Sequence, residues 1–155
     1  RLRAAWMTVS WLRLRLVPQS RRRSRLRARE RGRAGTEMRA GISADLLTTI
    51  FTPYSPLHDG AVVLRGDQIV GAGCVLPLTQ FPVSDKNLGT RHRAALGLSE
   101  ETDATVIVVS EETSGISVAI GGRLHRGATP EQVRELLAGD FTAAFATTPL
   151  TTRTS

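Results

Sequence analysis

The sequence predicts an α/β protein with a mixed β-sheet flanked by helices, and three observations support this fold class. The segment "ATVIVVS", residues 104–110, is apolar and rich in β-branched residues, as expected of a strand buried on both faces. Two hairpin-like pairs of apolar segments follow residue 41. Helix signals precede, separate and follow these pairs, and an order of helix, two strands, helix, two strands, helix places helices against a sheet.

Three segments carry the signals of helix starts. "ISADLLTTIF" opens on Ser43 as the candidate N-cap, and its apolar residues recur at helical spacing. "RHRAALGLSEET" follows Thr90 as the candidate N-cap of a short helix. In "ATPEQVRELLAG", Thr129 and Gln132 have the spacing of a capping box, and Gly139 is suited to end the helix.

The strand signals are equally local. "AVVL" and "IVGAGCVLP" flank the turn "RGDQ", in which Gly66 and Asp67 are residue types typical of a hairpin turn. "ATVIVVS" and "ISVAI" form the second pair, and Gly121-Gly122 ends it. Nearer the start of the chain, "RLRLV" alternates like a short strand, but it stands within an arginine-rich region.

Charge divides the chain into two parts. Residues 1–40 contain 13 Arg and 2 Glu, a net charge of +11, whereas residues 41–155 carry a net charge of −4. The tract "RRRSRLRARERGRAG" has little to bury, so we expect residues 1–40 to be an arginine-rich, disordered or non-native extension. A basic arm for nucleic acid or anionic lipid is the alternative, which the lack of interleaved aromatic residues disfavours. We expect residues 41–140 to form the folded domain and residues 141–155 a flexible C-terminal tail.

Composition excludes several classes of protein. A single cysteine, Cys74, allows neither a disulfide framework nor a cysteine-cluster metal site, and its apolar context favours a small buried side chain. The longest uncharged stretch near the start, "AAWMTVSWL", is far shorter than the roughly 20 apolar residues that cross a bilayer. We expect a cytoplasmic domain, attached to a membrane only through a segment outside these residues.

A first polar cluster lies in "LHDGAVV", where Asp59 and Gly60 precede an apolar strand. An aspartate at the mouth of a strand can bind a hard cation or accept a proton from a hydroxyl, and glycine lets a ligand approach the backbone. His58 is a candidate metal ligand. The alternative is an ordinary Asp-Gly loop with a hydrogen-bonding histidine beside it.

A second polar cluster opens a predicted helix in "GTRHRAALG". Arg91, His92 and Arg93 stand in the first turn, where free backbone N–H groups and the helix dipole attract anions and disfavour cations. Placing cations there indicates either a phosphate site or a solvated helix start. Readout of nucleic acid is less favoured, because the surrounding domain is acidic.

A third polar cluster ends the apolar strand in "VVSEETSG". Ser110, Glu111 and Glu112 stand where that strand stops, and ligands of α/β sheets bind at the carboxyl ends of strands. A charged turn is the alternative. Taken together, the three clusters suggest metal-assisted chemistry on a nucleoside phosphate, although no Walker-type loop or GxGxxG motif is present.

The three clusters, in this order, resemble the bacterial diadenylate cyclase (DAC) domain, closest to the membrane-bound branch of that family. The matching text is "SPLHDGAVVLRGDQI", "LPLTQFPVSDKNLGTRHRAALGLSEETDA" and "VIVVSEETSGISVAIGGRLHRG". The family hallmarks Asp-Gly-Ala and Arg-His-Arg stand at residues 59–61 and 91–93. The resemblance implies condensation of two ATP into cyclic di-AMP with loss of two pyrophosphates, in an active site completed across a face-to-face dimer. It implies that a homodimer or a higher oligomer is needed for activity. It implies no specific nucleic-acid partner.

The resemblance also assigns roles to individual residues. It implies that Asp59, with His58 as a further candidate, binds a divalent metal (Mn²⁺, Mg²⁺ or Co²⁺) and that Asp59 helps to activate the 3′-hydroxyl. Gly60 and Ala61 would admit the ribose and phosphates close to the backbone, and Leu76 would pack on adenine. The residues implied to lie along the phosphates and the metal are Thr90, Arg91, His92, Arg93 (as a support), Ser110, Glu111 and Glu112.

Two departures from the family pattern carry expectations of their own. Val75 stands where the membrane-bound branch often has a tyrosine that stacks on adenine, which predicts weaker stacking. The family normally has a helix and an apolar strand before the position of Ile42, where this chain has its arginine tract. We therefore expect a central strand to be missing and the domain to be N-terminally incomplete. A truncated, inactive ATP-binding relic is accordingly the alternative function.

Overall fold

The fold is described from a computed structural model of the 155-residue chain. The structure describes residues 12–16, 35–82, 88–110 and 113–138, and for residues 12–16 it describes the backbone alone. The expected C-terminal tail, residues 141–155, lies outside these ranges, as does Gly139.

Within the described ranges, the strands form one seven-stranded mixed sheet in the order β2-β4-β3-β1-β5-β6-β7. The strands are β1 Leu12–Leu16, β2 Thr36–Gly41, β3 Ala61–Arg65, β4 Gln68–Cys74, β5 Thr105–Val109, β6 Ile116–Ile120 and β7 Arg123–Ala128. β1 runs parallel to β3, and each other neighbouring pair is antiparallel. The predicted mixed α/β class and both predicted hairpins, β3–β4 and β5–β6, are confirmed.

The strand β5 lies in the interior of the sheet because its sequence, TVIVV, is suited to burial on both faces. All five of its residues are buried, as predicted. The register shows which residues of neighbouring strands share a face. The Cα of Arg13 in β1 pairs with that of Val62 in β3 on one side and with that of Ile107 in β5 on the other. Val62 and Ile107 therefore lie on the same face.

Helix α1, Ala44–Phe51, covers one half of that face. Ser43 is its N-cap and accepts a hydrogen bond from the Leu46 amide at 3.1 Å, which confirms the predicted cap. The apolar side of α1 packs on β3 and β4 in a core cluster with these buried members: Leu47, Ile50, Phe51, Val62, Ile69 and Ala72. Because the apolar side of α1 is buried on the sheet, the loop that follows α1 is also held against the sheet.

Helix α3, Pro130–Ala138, covers the other half of the same face, where Val133 and Leu136 pack on Ile107 and Val118. Helix α2, Thr90–Glu101, covers the opposite face and contacts β5, β6 and β7. Its buried side joins a core cluster that includes Ala95, Leu98, Val106, Val108, Ala119 and Leu124. The sheet is thus sandwiched between α2 on one side and α1 with α3 on the other.

The structure corrects the predicted N-terminal extension. Thr36–Gly41 forms the edge strand β2, which pairs with β4, and Leu12–Leu16 forms β1, which lies between β3 and β5. The prediction that residues 1–40 are disordered is therefore wrong for these two segments, and so is the prediction of a missing central strand. The reason is that strand pairing can satisfy the backbone of a segment whose charged composition disfavours folding alone.

A further strand was not predicted. The sequence "RLHRGA" forms β7 at the edge of the sheet, after the Gly121-Gly122 turn. Edge strands tolerate polar residues because one side of the strand faces solvent. The alternation of β7 is accordingly weak in the sequence, although Leu124 and His125 are buried in the structure.

Candidate active site

The candidate site is a cleft of about 680 Å³ at the N-terminal end of α2, where this helix faces the end of β5 and the β6–β7 pair. The cleft brings together residues from all three polar clusters found in the sequence. Its described lining residues are Asp59, Leu88, Gly89, Thr90, Arg91, His92, Val108, Val109, Ser110, Thr113, Gly115, Ser117, Arg126 and Gly127.

The Asp59-Gly60-Ala61 corner is held in place by close packing of two backbones. Gly60 has φ +136°, and a Cβ on it would lie 2.6 Å from the carbonyl carbon of Gly73 in β4. Ala61 is fully buried and pairs with Cys74. This packing fixes the direction in which the chain enters β3, and Asp59, which is exposed, lies at the rim of the cleft.

The first turn of α2 forms one wall of the cleft. Gly89, and not Thr90, is the N-cap: it is extended (φ −64°, ψ 163°), and its carbonyl accepts a hydrogen bond from the Arg93 amide at 3.1 Å. Thr90 is the first helical residue, so the predicted cap was wrong by one position. The amides of Thr90, Arg91 and His92 precede the first intrahelical donor, and helix starts of this kind attract anions.

His92 is oriented by a side chain from the sheet. Its Nε2 lies 3.2 Å from the hydroxyl oxygen of Ser117, a buried residue of β6. A hydrogen bond at Nε2 limits the ring to one direction and leaves Nδ1 as the other polar position of the imidazole. The arrangement holds the imidazole at the start of the helix and beside the cleft.

The end of β5 forms the floor of the cleft. Ser110 accepts a hydrogen bond from the Ser114 amide through its carbonyl at 2.9 Å, and its hydroxyl accepts one from the Thr113 amide at 3.3 Å. The Ser110 amide in turn donates to the Gly115 carbonyl at 2.9 Å. These bonds hold Ser110 in position at the cleft. Glu111 and Glu112 lie outside the described residues.

Other predicted site residues lie beside the cleft and not on its lining. Leu76 is half-buried against the core under α2. The Nδ1 of His58 lies 2.6 Å from the Ser55 carbonyl, within its own loop. Arg93 is exposed, and its carbonyl accepts a hydrogen bond from the Thr79 amide at 2.9 Å. Gly60 and Ala61 lie next to Asp59 in the corner and do not line the cleft.

Two residues of the β6–β7 pair line the cleft without having been predicted. Ser117 and Arg126 are register partners in this pair. The sequence contains a weak signal for Arg126, which stands in "GGRLHRG" between glycines that permit sharp backbone changes. Ser117 has no such signal, because a single serine within "ISVAI" carries no feature that marks a ligand contact.

Charge decides what kind of ligand suits the cleft. The charged side chains on its described lining are two arginines, Arg91 and Arg126, and one carboxylate, Asp59. Among the described residues, no three His, Cys, Asp or Glu side chains cluster as a metal site would require. A single carboxylate together with phosphate oxygens nevertheless suits Mg²⁺ and similar ions. Fold and cleft together define a mixed α/β protein with a cleft whose charged lining residues suit an anion.

Comparisons with known proteins identify the family. Residues 19–124 match the model of the DAC family, described as DisA bacterial checkpoint controller nucleotide-binding, and the chain belongs to this family. It is 51% identical over 107 residues to the cyclic di-AMP synthase CdaA of Bacillus subtilis, covering 69% of this chain and 39% of that protein. It is 49% identical over 115 residues to a diadenylate cyclase of Listeria monocytogenes, covering 74% of this chain and 42% of that protein.

Solved structures agree with the fold. A double mutant of DacA from Staphylococcus aureus superposes with a TM-score of 0.76 at 39% identity, covering 88% of this chain and 87% of that chain. A hypothetical membrane spanning protein from Bacillus cereus gives a TM-score of 0.70 at 40% identity, covering 82% and 59%. The present chain spans less than half the length of the two curated relatives above. In the part of the chain that the structure describes, no helix has the length and apolar character needed to cross a membrane.

Proposed function

We propose that this chain is the catalytic domain of a diadenylate cyclase, which condenses two ATP into cyclic di-AMP and releases two pyrophosphates. One observation carries the proposal: Asp59 and the first turn of α2, residues from two distant parts of the sequence, line the same cleft. Membership of the DAC family and relatives named as cyclic di-AMP synthase and diadenylate cyclase support it.

The substrate phosphates would lie at the start of α2. The N-terminal amides of Thr90, Arg91 and His92 and the positive end of the helix dipole favour an anion, and the Arg91 guanidinium adds a charged donor. Ser110 offers a hydroxyl at the floor of the cleft. Outside the described residues, Glu111 and Glu112 are proposed for the phosphate and metal side, as the resemblance implies.

The reaction is an in-line displacement at the α-phosphorus. The 3′-oxygen of one nucleotide forms a bond to the α-phosphorus of the other, the bond from that phosphorus to the bridging oxygen breaks, and pyrophosphate leaves. Asp59 is the carboxylate on the described lining that can accept the proton of the 3′-hydroxyl. The second condensation repeats these changes with the roles of the two nucleotides exchanged.

Asp59 is also the residue that would hold a divalent metal, with His58 as a further candidate from the same loop. When bound, Mn²⁺, Mg²⁺ or Co²⁺ would neutralise part of the phosphate charge, and the oxygen ligands on offer suit such ions. Gly60 and Ala61 have no bulky side chain at this corner, so the ribose can approach the backbone. Leu76, beside the cleft, would contact the adenine edge, with Val75 giving weaker stacking than an aromatic residue.

Two copies of the chain are required by this chemistry. One cleft holds one ATP, and each 3′-hydroxyl must reach the α-phosphorus held by the other cleft. We therefore propose a face-to-face homodimer whose clefts open toward each other. An inactive relic is not favoured, because its motivation was a missing central strand, and β1 occupies a central position of the sheet.

Incubating the purified protein with ATP and Mn²⁺ and separating the products by chromatography tests the proposal. We expect cyclic di-AMP and pyrophosphate from the wild type and a loss of at least about 100-fold in Asp59→Asn. Asp67→Asn is the matched control, because Asp67 is an exposed aspartate in the β3–β4 turn and does not line the cleft. A folded, dimeric wild type that binds ATP without forming product would contradict the proposal and select the relic.

A further inference from the structure

We propose that Arg126, in the edge strand β7, contacts the phosphate chain of the nucleotide and makes the cleft selective for triphosphates over monophosphates. This inference rests on the proposed function, because it concerns the same cleft. It adds the edge strand β7 to a phosphate site that the sequence motifs place at the start of α2 and the end of β5.

The register of the β6–β7 pair places Arg126 next to the start of α2. Ala119 pairs with Leu124, and both are buried in the core beneath α2. Ser117 pairs with Arg126 two residues further along, so both lie on that same face of the sheet. The Ser117 hydroxyl lies 3.2 Å from Nε2 of His92, which places this pair at the first turn of the helix. The core thus ends at Ala119 and Leu124, and the cleft begins at Ser117 and Arg126.

A β-bulge at Gly127 allows β7 to hold Arg126 on this face. The register shifts between Ile116 and Ser117, because Ile116 pairs with Ala128 and Gly127 is left over. Gly127 has φ +69°, a conformation that favours glycine. Without the extra residue, Arg126 and Ala128 would share a face. With it, Arg126 lines the cleft while Ala128 packs in the core beneath α3.

The chemistry of the two cleft walls is complementary to a polyphosphate. Arg91 belongs to the helix and Arg126 to the sheet, so the two guanidinium groups reach the cleft from different elements. A guanidinium group makes paired, charge-assisted hydrogen bonds to phosphate oxygens. A monophosphate can be held at the helix start by amides and Arg91, whereas a longer phosphate chain can reach both walls. Arg126 should therefore act on the β- and γ-phosphates, which leave as pyrophosphate.

Binding of non-reacting nucleotides to the intact protein tests the inference. 3′-Deoxy-ATP and 3′-deoxy-AMP lack the attacking hydroxyl, so their dissociation constants can be measured by calorimetry with Mn²⁺ present and without turnover. We expect Arg126→Gln to raise the dissociation constant of 3′-deoxy-ATP at least about tenfold and to leave that of 3′-deoxy-AMP unchanged. Arg126→Lys keeps the positive charge but lacks the paired donors of the guanidinium group, so its affinity for 3′-deoxy-ATP should be intermediate.

Arg123→Gln is the matched control, because Arg123 is an exposed arginine of the same strand and does not line the cleft. It should leave both dissociation constants unchanged. An equal loss for both nucleotides in Arg126→Gln, or no loss for either, overturns the inference alone. A wild type that binds neither nucleotide overturns the proposed function as well. A wild type that binds 3′-deoxy-ATP through Arg126 but forms no cyclic di-AMP from ATP supports the inference and overturns the proposed reaction.

Discussion

The starts of α2 and α3 are built in opposite ways. At α3, Thr129 and Gln132 bond reciprocally: the Thr129 hydroxyl accepts from the Gln132 backbone amide at 3.2 Å, and the side-chain Oε1 of Gln132 accepts from the Thr129 backbone amide at 2.8 Å. An acidic residue, Glu131, stands in the first turn. At α2, the N-cap is Gly89, which offers no side-chain acceptor, and the first turn contains no acidic residue.

The start of α3 is built for stability, whereas the start of α2 suits the proposed phosphate site. The capping box of α3 satisfies its own amides and complements the helix dipole. The start of α2 instead places cations at the positive end of the dipole and faces a cleft. A bound anion would supply at α2 what Thr129, Gln132 and Glu131 supply at α3.

The largest effect is expected from Arg91→Gln. Removing a charged donor from a phosphate site should lower the rate of cyclic di-AMP formation by about 100-fold. The free energy of unfolding should stay the same or rise slightly, since a cation at this end of a helix is unfavourable. Initial rates and chemical denaturation on the same preparation measure both quantities. Arg134→Gln, an exposed position of α3 that pairs with Glu131, should leave the rate unchanged. Equal rates for the two variants would argue against a phosphate at α2.

A second prediction gives α2 a cap of its own. In Gly89→Asp the new Cβ has open space, and the extended backbone of Gly89 accepts any residue. The aspartate should stabilise the fold by about 0.5 kcal/mol through capping and the dipole. It should weaken ATP binding about tenfold or more, because a carboxylate then occupies the place of the anion. Gly89→Ala separates added bulk from added charge, and a gain in both stability and affinity would contradict the idea.

The third prediction removes the cap of α3. Thr129→Ala should lower the free energy of unfolding by about 1 kcal/mol, because the hydroxyl that accepts from the Gln132 amide is lost. Affinity for ATP should not change, since α3 lies on the face of the sheet opposite the cleft wall formed by α2. Thr129→Ser, which keeps the acceptor, should retain most of the stability. An affinity that falls with Thr129→Ala would mean that the two helix starts are coupled.

The same contrast explains what the sequence could predict of the fold. The starts of α1 and α3 were predicted to the residue because caps are local signals. The strand β5 was predicted to within one residue at each end because its apolar run is unambiguous. β7 was missed because an edge strand tolerates polar residues, and β1 and β2 because their arginine-rich context outweighed the alternation of "RLRLV". The insertion of β1 between β3 and β5 is a non-local pairing that no local pattern encodes.

The residues of the candidate site also divide into those that the sequence predicted and those that it did not. Asp59 and the first turn of α2 were predicted because their motifs are contiguous and resemble a known family. Ser117 and Arg126 were not, because their position depends on the register of β6 with β7 and on the Gly127 bulge. The cap of α2 was misplaced because threonine is the better capping residue, whereas the cleft wall has glycine there.

The smallest expected effect concerns a histidine beneath α3, away from the cleft. His125 is buried, and this burial, followed by the charge of Arg123, lowers the pKa of His125 below its ordinary value of 6.5. The unfolded chain therefore takes up a proton more readily, so stability is fully present above about pH 6.5 and falls as the pH drops below it. Denaturation at about pH 7.5 and about pH 5.5 should show this decline in the wild type and a smaller one in His125→Gln. Parallel declines in the two proteins would assign the pH dependence to other groups.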